Sequence, residues 1–283
     1  MNPDAVITVG VLTPHTAAGP EVELPSMAPD HVRVRVARVR DRVSSSDDVA
    51  DSSTSLTWLG DTRRRATPEA LHDAASALFP GDVDVLAFAS TSSGYAIGHH
   101  AESALVQRLQ QRWRIPVCAS SLSAVLALRS HRIERISLVH PPWFGRALSQ
   151  LGAEYYRSQG FEVVDAHVAD LPDDPDQIET TMVVEWFSQH LSDRAEAVVI
   201  GGNGFRAAHA IDPLEKSIGR IVLEANQVLL WSIIASTGRP VAVRGFGRLL
   251  KTAELRRTRR PERAAFQETR RNSRTSLPTS TAS

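Results

Sequence analysis

The stretch AVVIGGNGFR, Ala197 to Arg206, joins a buried-strand pattern to a glycine-rich turn. Its first four residues are apolar and mostly β-branched, which predicts a strand covered on both faces of a sheet. The next four, Gly201 to Gly204, let the backbone turn sharply and approach a ligand closely. Phe205 and Arg206 then lead into a helical pattern, so the stretch predicts a strand, turn and helix start that suit a small anion. An ordinary tight turn with a solvated arginine explains the same residues.

Outward from this stretch, strand and helix patterns alternate along the chain. The predicted strands are Ala5 to Leu12, Val32 to Arg38, Val83 to Ala89, Ile115 to Cys118, Ile136 to Val139, Phe161 to Val168, Ala197 to Ile200 and Arg220 to Leu223. Four strands with their helices are followed by four more in the same plan. The pattern therefore predicts an α/β protein with two pseudo-symmetric lobes, each a parallel four-stranded sheet flanked by helices.

The domain boundaries follow from this repetition. We expect an N-terminal lobe at 1–128, a C-terminal lobe at 129–225, a closing helix and strand at 226–248 that pack back on the first lobe, and a tail at 249–283. The chain from Arg244 onward contains 11 Lys/Arg and 3 Asp/Glu. The part before it contains the other 21 of 32 basic and 29 of 32 acidic residues, so the body is acidic and the tail is basic. We expect the basic, Ser/Thr-rich tail to be disordered, although it could bind nucleic acid. The Ser/Asp-rich segment Ser44 to Ser55 is similarly either disordered or a lid.

Composition narrows the class of protein. The 283 residues are 42% hydrophobic, enough for a large core, and no apolar run is long enough to span a bilayer. The N-terminus lacks a basic region ahead of its apolar stretch, so we expect no secretory signal. The single cysteine, Cys118, excludes an internal disulfide and a multi-cysteine metal site. We expect a cytoplasmic protein with no metal, no membrane association and no nucleic-acid partner, and leave a homo-oligomer open.

Polar residues follow the predicted strands, and ligands in parallel sheets bind beyond the carboxyl ends of the strands. If the lobes face each other, we expect one cleft to contain His15, Ser90, Thr91, Ser92, Ser120, Ser121, His140 and the segment Asn203 to Arg206. Histidine titrates near neutral pH and could move a proton, while the hydroxyl-rich turn could bind a carboxylate or an enolate. Histidines packed beside proline turns and ordinary helix capping are the structural alternatives.

Six motifs in this order resemble one known family. They are VGVLTP near the N-terminus, AFASTSSG, IPVCASSLSAVLAL, ISLVHPPW, VVIGGNGFR and NQVLLW. Over residues 5–237 the chain resembles the Asp/Glu racemase superfamily, in its maleate cis-trans isomerase and arylmalonate decarboxylase branch. The resemblance implies a cofactor-independent enzyme that acts on a small carboxylate.

The resemblance also implies a reactive cysteine after the third strand of each lobe. These two positions fall on Ser90 and Gly202, so neither thiol is present. The asparagine with which the family holds a carboxylate falls on Ala17, and its tyrosine falls near Pro142, with Trp143 beside it. A serine hydroxyl is far less acidic than a thiol and needs an adjacent base to act.

Two functions remain open from the sequence. The first is isomerisation, racemisation or decarboxylation through an enolate-like intermediate, with Ser90, His15 and His140 as the catalytic candidates. The anion would then be held by Thr91, Ser92, Ser120, Ser121, Gly202, Asn203, Gly204 and Arg206. The second is a non-catalytic protein that binds a small carboxylate or acts as a regulator, which the loss of both thiols favours.

Overall fold

The computed structural model describes residues 6–40, 55–79 and 82–253. Within them the chain forms two four-stranded parallel sheets of the same topology. The first has the order β2-β1-β3-β4 and contains β1 (Ile7–Thr13), β2 (Val32–Arg38), β3 (Val85–Phe88) and β4 (Val117–Ala119). The second has the order β6-β5-β7-β8 and contains β5 (Arg135–His140), β6 (Glu162–Val168), β7 (Ala197–Ile200) and β8 (Ile221–Glu224). The predicted two-lobed α/β architecture is confirmed.

The helices connect these strands and cover both sheets. In the first lobe they are α1 (Pro20–Met27), α2 (Ser55–Arg65), α3 (Pro68–Ser76), α4 (Thr91–Ile97), α5 (His99–Trp113) and α6 (Ser120–Ser130). The remaining helices are α7 (Arg146–Arg157), α8 (Thr180–His190), α9 (Ile211–Ile218), α10 (Ala225–Thr237) and α11 (Gly247–Ala253).

The strands β3 and β7, which lead to Ser90 and Gly202, are deeply buried. Every residue of β3 and β7 is buried, as expected for parallel strands covered on both faces. Their registers match, because β3 pairs with β1 and β4 just as β7 pairs with β5 and β8. Their carboxyl ends therefore present Ser90 and Gly202 at equivalent places in the two lobes.

The closing helix α10 contacts helices of the first lobe. It packs against α6 and α1, and Ser232 and Ser236 lie 3.4 and 3.6 Å from the sulfur of Cys118 on β4. The cysteine is buried in this contact, which agrees with a core role. No strand follows α10 in the described residues, so the expected closing strand is not formed, and α11 (Gly247–Ala253) lies where the disordered tail was expected to begin, at 249.

Three other local predictions need correction. The segment Ala17 to Glu21, whose sequence AAGPE predicts a loop, instead leads into helix α1 at Pro20, because proline fits the first turn of a helix. Ser55 begins α2, while the rest of the Ser44 to Ser55 segment and the tail from 254 lie outside the described residues. Arg206 does not start a helix: its φ is +55°, and α9 begins only at Ile211 after a short 3₁₀ turn.

Candidate active site between the two lobes

The first lobe brings a serine and a histidine together at the first thiol position. Ser90 follows β3 and caps α4, and its Oγ lies 3.3 Å from Nε2 of His15, which follows β1. Ser90 is fully buried, whereas His15 is half-buried. This pair supplies the adjacent base that the sequence argument required for a serine.

The serine turn forms a network of hydroxyl groups around Ser90. Its Oγ donates to Oγ of Ser93 at 2.8 Å, lies 3.3 Å from Oγ of Ser92, and accepts the backbone N–H of Ser93 at 3.3 Å. While Ser90 donates its one hydroxyl proton to Ser93, it can only accept a hydrogen bond from Nε2 of His15, and the bond between Ser90 and His15 reverses only if that hydroxyl turns toward the histidine. The network can therefore pass a proton between the histidine and Ser90.

The surroundings of His15 keep its imidazole neutral. Burial, together with the positive charges of Arg65 and Arg38 and against the opposing charge of Glu21, lowers the pKa of His15 to about 4. Arg38 and Glu21 also form an ion pair with each other. At neutral pH the ring of His15 is thus available both to accept and to donate a hydrogen bond.

The second lobe contributes Asn203, whose side chain crosses between the lobes. Its Oδ1 accepts hydrogen bonds from both the N–H and the Oγ1 of Thr91, each at 3.1 Å. Its Nδ2 donates to Ser120 Oγ at 2.9 Å and to Asn226 Oδ1 at 2.8 Å. The buried carboxamide is fully satisfied and holds the two lobes together at the end of β3.

A pair of buried carboxyl groups supports this asparagine. Asn226 donates from Nδ2 to Glu23 Oε2 at 2.6 Å, and the N–H groups of Asn226 and Gln227 donate to Glu224 Oε2 at 2.8 and 2.9 Å. Burial raises the pKa of Glu23 to about 7, and burial together with the charge of Glu23 raises the pKa of Glu224 well above its usual range. The two carboxyl groups therefore do not both carry a negative charge at neutral pH.

The second thiol position, Gly202, is a backbone turn with no room for a side chain. Its φ is +92°, and a Cβ built there would lie 2.8 Å from Cγ and 2.9 Å from Cδ of Pro141. Its N–H donates to Thr91 Oγ1 at 3.2 Å. The missing thiol is thus accompanied by a local conformation that glycine adopts far more readily than cysteine.

Two of the predicted binding serines lie deeper than the cleft surface. Oγ of Ser120 accepts a hydrogen bond from Asn203, and Oγ of Ser121 has no hydrogen-bond partner in the described residues. Both line a small internal cavity of about 10 Å³ that also touches Thr91 and Gly201. A space of this size accommodates about one water molecule and no substrate.

His140 lies behind the cleft, not beside His15. Its ring is completely buried, stacks on Phe144 at 5.2 Å, and meets Tyr95 edge-on at 5.5 Å between ring centroids. Its Nδ1 lies 3.0 Å from Ser149 Oγ, and burial lowers its pKa to about 3. His140 is therefore not available at the cleft where we expected it beside His15, because it ends β5 and is fully buried, whereas His15 follows β1 and is half-buried.

Arg206 does not present a free guanidinium to the cleft. It forms an ion pair with Asp176 at the protein surface, and its positive φ directs the chain away from the end of β7. Half-exposed Gly204, by contrast, remains at the rim, where Trp143 contacts Phe205 edge-on. The Nε of Arg206 is buried without a hydrogen-bond partner in the described residues, and the charge of Arg206 opposes the rise in the pKa of Glu23.

Sequence reasoning missed three residues of this site. Glu23 lies on α1 and Arg65 lies on α2, and neither helix was expected from the sequence. Asn226 is part of the NQVLLW motif but carried no assigned role. The only signal in the sequence was the position of Asn226 in that motif, because its contact with Glu23 is visible only in the structure.

The described residues contain no group of three or more His, Cys, Asp or Glu side chains arranged to hold a metal ion. None of the helices in that part of the chain combines the length and the apolar character needed to cross a membrane.

Comparisons with known proteins agree with this architecture. The family model described as arylmalonate decarboxylase matches residues 65–250. No curated protein matches the chain significantly. Among solved structures, maleate isomerase Iso from Pseudomonas putida S16 is 20% identical with a TM-score of 0.74, over 88% of this chain and 100% of that chain.

Two further structures share the fold. A mutant of the Nocardia farcinica maleate cis-trans isomerase with a covalently bound succinylcysteine intermediate is 21% identical, with a TM-score of 0.70, over 88% of this chain and 99% of that chain. An unliganded arylmalonate decarboxylase is 15% identical, with a TM-score of 0.65, over 87% of this chain and 99% of that chain. The likeness of structure shows the shared fold, and the sequence match over residues 65–250 shows that the chain belongs to the arylmalonate decarboxylase family.

Proposed function

We propose that this protein is a cofactor-independent enzyme that acts on a small carboxylate through an enolate-like intermediate, with Ser90 and His15 in place of the thiol chemistry. The observation that carries the proposal is the 3.3 Å contact between Ser90 Oγ and His15 Nε2 at the first thiol position. Membership of the arylmalonate decarboxylase family supports a reaction of this kind, in which negative charge develops on the carbon next to a carboxylate.

Decarboxylation fits the arrangement better than racemisation or isomerisation. Proton donors and acceptors are present on one wall, at Ser90 and His15, whereas Gly202 offers no side chain on the other. Racemisation needs a proton removed from one face and returned to the other. Decarboxylation breaks a C–C bond, leaves its electron pair in the enolate, and needs one proton delivered to carbon.

In this scheme the Ser90 hydroxyl delivers the proton to the enolate carbon. His15 then restores the proton to Ser90 from solvent, because its neutral ring is half-exposed and can donate through Nε2. The hydroxyl of Ser92 and the backbone donors near Thr91 stabilise the enolate oxygen. Substrate must displace the Asn203 carboxamide to reach the Thr91 donors.

A turnover screen tests this proposal. Maleate, substituted malonates, hydantoins and amino acids are incubated with the wild type and with Ser90→Ala, His15→Ala and His140→Ala. Ser188→Ala, an exposed serine on α8, is the matched control. We expect turnover of at least one carboxylate that both Ser90→Ala and His15→Ala abolish. Absence of turnover of every compound by the wild type would contradict the proposal.

One observation favours a second function, a non-catalytic carboxylate-binding or regulatory protein. The Asn203 side chain already satisfies the Thr91 donors that a substrate would use, and its own four hydrogen bonds are complete. Thermal-shift measurements separate the two functions. Strong stabilisation by a dicarboxylate without turnover supports binding alone, because a ligand that binds only the folded state raises its stability.

A further inference from the structure

A second concave site lies in the C-terminal lobe, between α7 and the strand β6 at the edge of its sheet. This groove has a volume of about 590 Å³, within the range of small-molecule sites. One wall is the α7 face that carries Arg146, Gln150 and Arg157, and the other is the last part of β6. The residues that form the interlobe contact do not line it.

The groove is positively charged. Arg146 and Arg157 are exposed, and neither forms an ion pair in the described parts of the chain. No aspartate or glutamate lines the groove. The two arginines are eleven residues apart on one helix, which corresponds to about 16 Å along its axis. This separation is about three helical turns, so both side chains lie on the same face. An elongated ligand with an anionic group at each end therefore matches the charge pattern.

The floor of the groove contains a buried hydrogen bond between two polar side chains. Ser149 is only 6% exposed, and its Oγ lies 3.0 Å from Nδ1 of the fully buried His140. A Cβ placed on Gly201 would lie 3.2 Å from Nε2 of the same ring, so the imidazole reaches from the groove to the end of β7. A ligand that contacts Ser149 is thus one side chain away from the backbone that carries Gly202.

We propose that the groove between α7 and β6 is a second ligand site, which binds a small elongated dianion with one anionic group on Arg146 and the other on Arg157. Guanidinium groups bind carboxylate and phosphate oxygens through paired hydrogen bonds, so both kinds of anion share the required chemistry. Gln150 and Ser149 face the uncharged middle of the ligand with amide and hydroxyl groups. This site is separate from the proposed reaction and does not depend on it.

Calorimetric titration of the full-length protein tests the proposal with azelate as the probe. Nonanoate, which has the same chain length and one carboxylate, tests the need for two charges, and an α,ω-alkyl bisphosphate of similar length replaces carboxylate by phosphate. The variant is Arg146→Ala/Arg157→Ala. The matched control is Arg33→Ala/Arg112→Ala, which removes two exposed arginines from the first lobe.

We expect saturable 1:1 binding of azelate, the bisphosphate or both to the wild type. The affinity should fall at least tenfold in the groove variant, remain within twofold in the control, and be at least tenfold lower for nonanoate. No binding of either dianion, an unchanged affinity in the groove variant, or equal affinities for azelate and nonanoate would each overturn the proposal. Circular dichroism of both double variants checks that the loss does not arise from misfolding.

Discussion

Oδ1 of Asn203 in the second lobe accepts two hydrogen bonds from Thr91 in the first, one from its N–H and one from its Oγ1, each at 3.1 Å. The two residues are 112 positions apart in the chain, so this contact depends on the relative placement of the lobes. It joins the two strand ends at which the family places its thiols. In the proposed function, a carboxylate that binds the Thr91 donors must break this contact, so its binding would weaken the lobe interface.

Replacing Asn203 by alanine should release the Thr91 donors to an external carboxylate. We expect Asn203→Ala to lower the free energy of unfolding by about 1–3 kcal/mol, because it leaves buried polar partners unsatisfied. At the same time the stabilisation by a saturating malonate should increase relative to wild type. Thermal denaturation with and without malonate measures both effects. A lower melting temperature with an unchanged ligand response would show that Asn203 does not occupy the ligand position.

Restoring a side chain at the second thiol position should damage the fold. Gly202→Ala places a Cβ 2.8 Å from Cγ of Pro141 at a φ of +92°, so we expect a destabilisation of about 1–3 kcal/mol. The control is Gly145→Ala, whose φ is −64° and whose Cβ would meet nothing within 4 Å. Urea denaturation compares the two variants. Equal stabilities would show that the turn adapts to a side chain.

The pKa of His15 provides a test that needs no substrate. Arg65 lowers this pKa, so Arg65→Met should move the titration of His15 to higher pH from its value of about 4. Arg33→Met, which removes an exposed arginine from β2, should leave it unchanged. NMR titration of the imidazole resonances measures the shift. If a neutral His15 supports turnover, kcat/KM should be level from about pH 5 upward and fall as pH drops through about 4.

Stability should decrease from acidic to slightly alkaline pH because of Glu102. This carboxyl group is fully buried, and its Oε2 accepts a hydrogen bond from the Tyr155 hydroxyl at an O···O distance of 2.5 Å. Burial raises its pKa to about 8. The folded state holds its proton more tightly than the unfolded state, so the stabilisation is complete below about pH 4.5 and is lost as pH rises through about 8.

The variant Glu102→Gln should therefore flatten the pH dependence, since it preserves the side-chain shape without a titrating proton. Urea midpoints at pH 5 and pH 8 for wild type and Glu102→Gln measure the difference. Glu154→Gln, an exposed position on α7, should retain the wild-type dependence. An equally steep dependence in Glu102→Gln would assign the effect to other buried carboxyl groups, such as Glu23.

The sequence predicts the fold well because local patterns determine it. The β-branched run of Ala197 to Ile200 forms the buried strand β7, and Thr67 caps α3 by accepting the N–H of Ala70 at 3.3 Å. The errors occur where two local signals conflict. Helix α1 contains Pro20 and Pro25, which suggest a loop, yet its buried Leu24 and Met27 anchor it to the core.

The candidate site is only partly predictable, because its key contacts are long-range. The resemblance places Ser90 and Gly202 at the thiol positions, and the structure places His15 beside Ser90. Nothing local in the sequence indicates that Asn203 bonds to Thr91, or that His140 faces Ser149 inside the second lobe. Depth within the fold separates two histidines that look equivalent in the sequence.

The most direct test of the proposed function is NMR of an arylmalonate incubated with the protein in D2O. The account predicts loss of CO2 with one deuteron added at the α-carbon, a rate at least about 100-fold lower in Ser90→Ala and in His15→Ala, and an unchanged rate in Ser188→Ala. Equal rates in wild type and Ser90→Ala would contradict the role of Ser90. No deuterated product from any arylmalonate or alkylmalonate with the wild type would contradict decarboxylation itself.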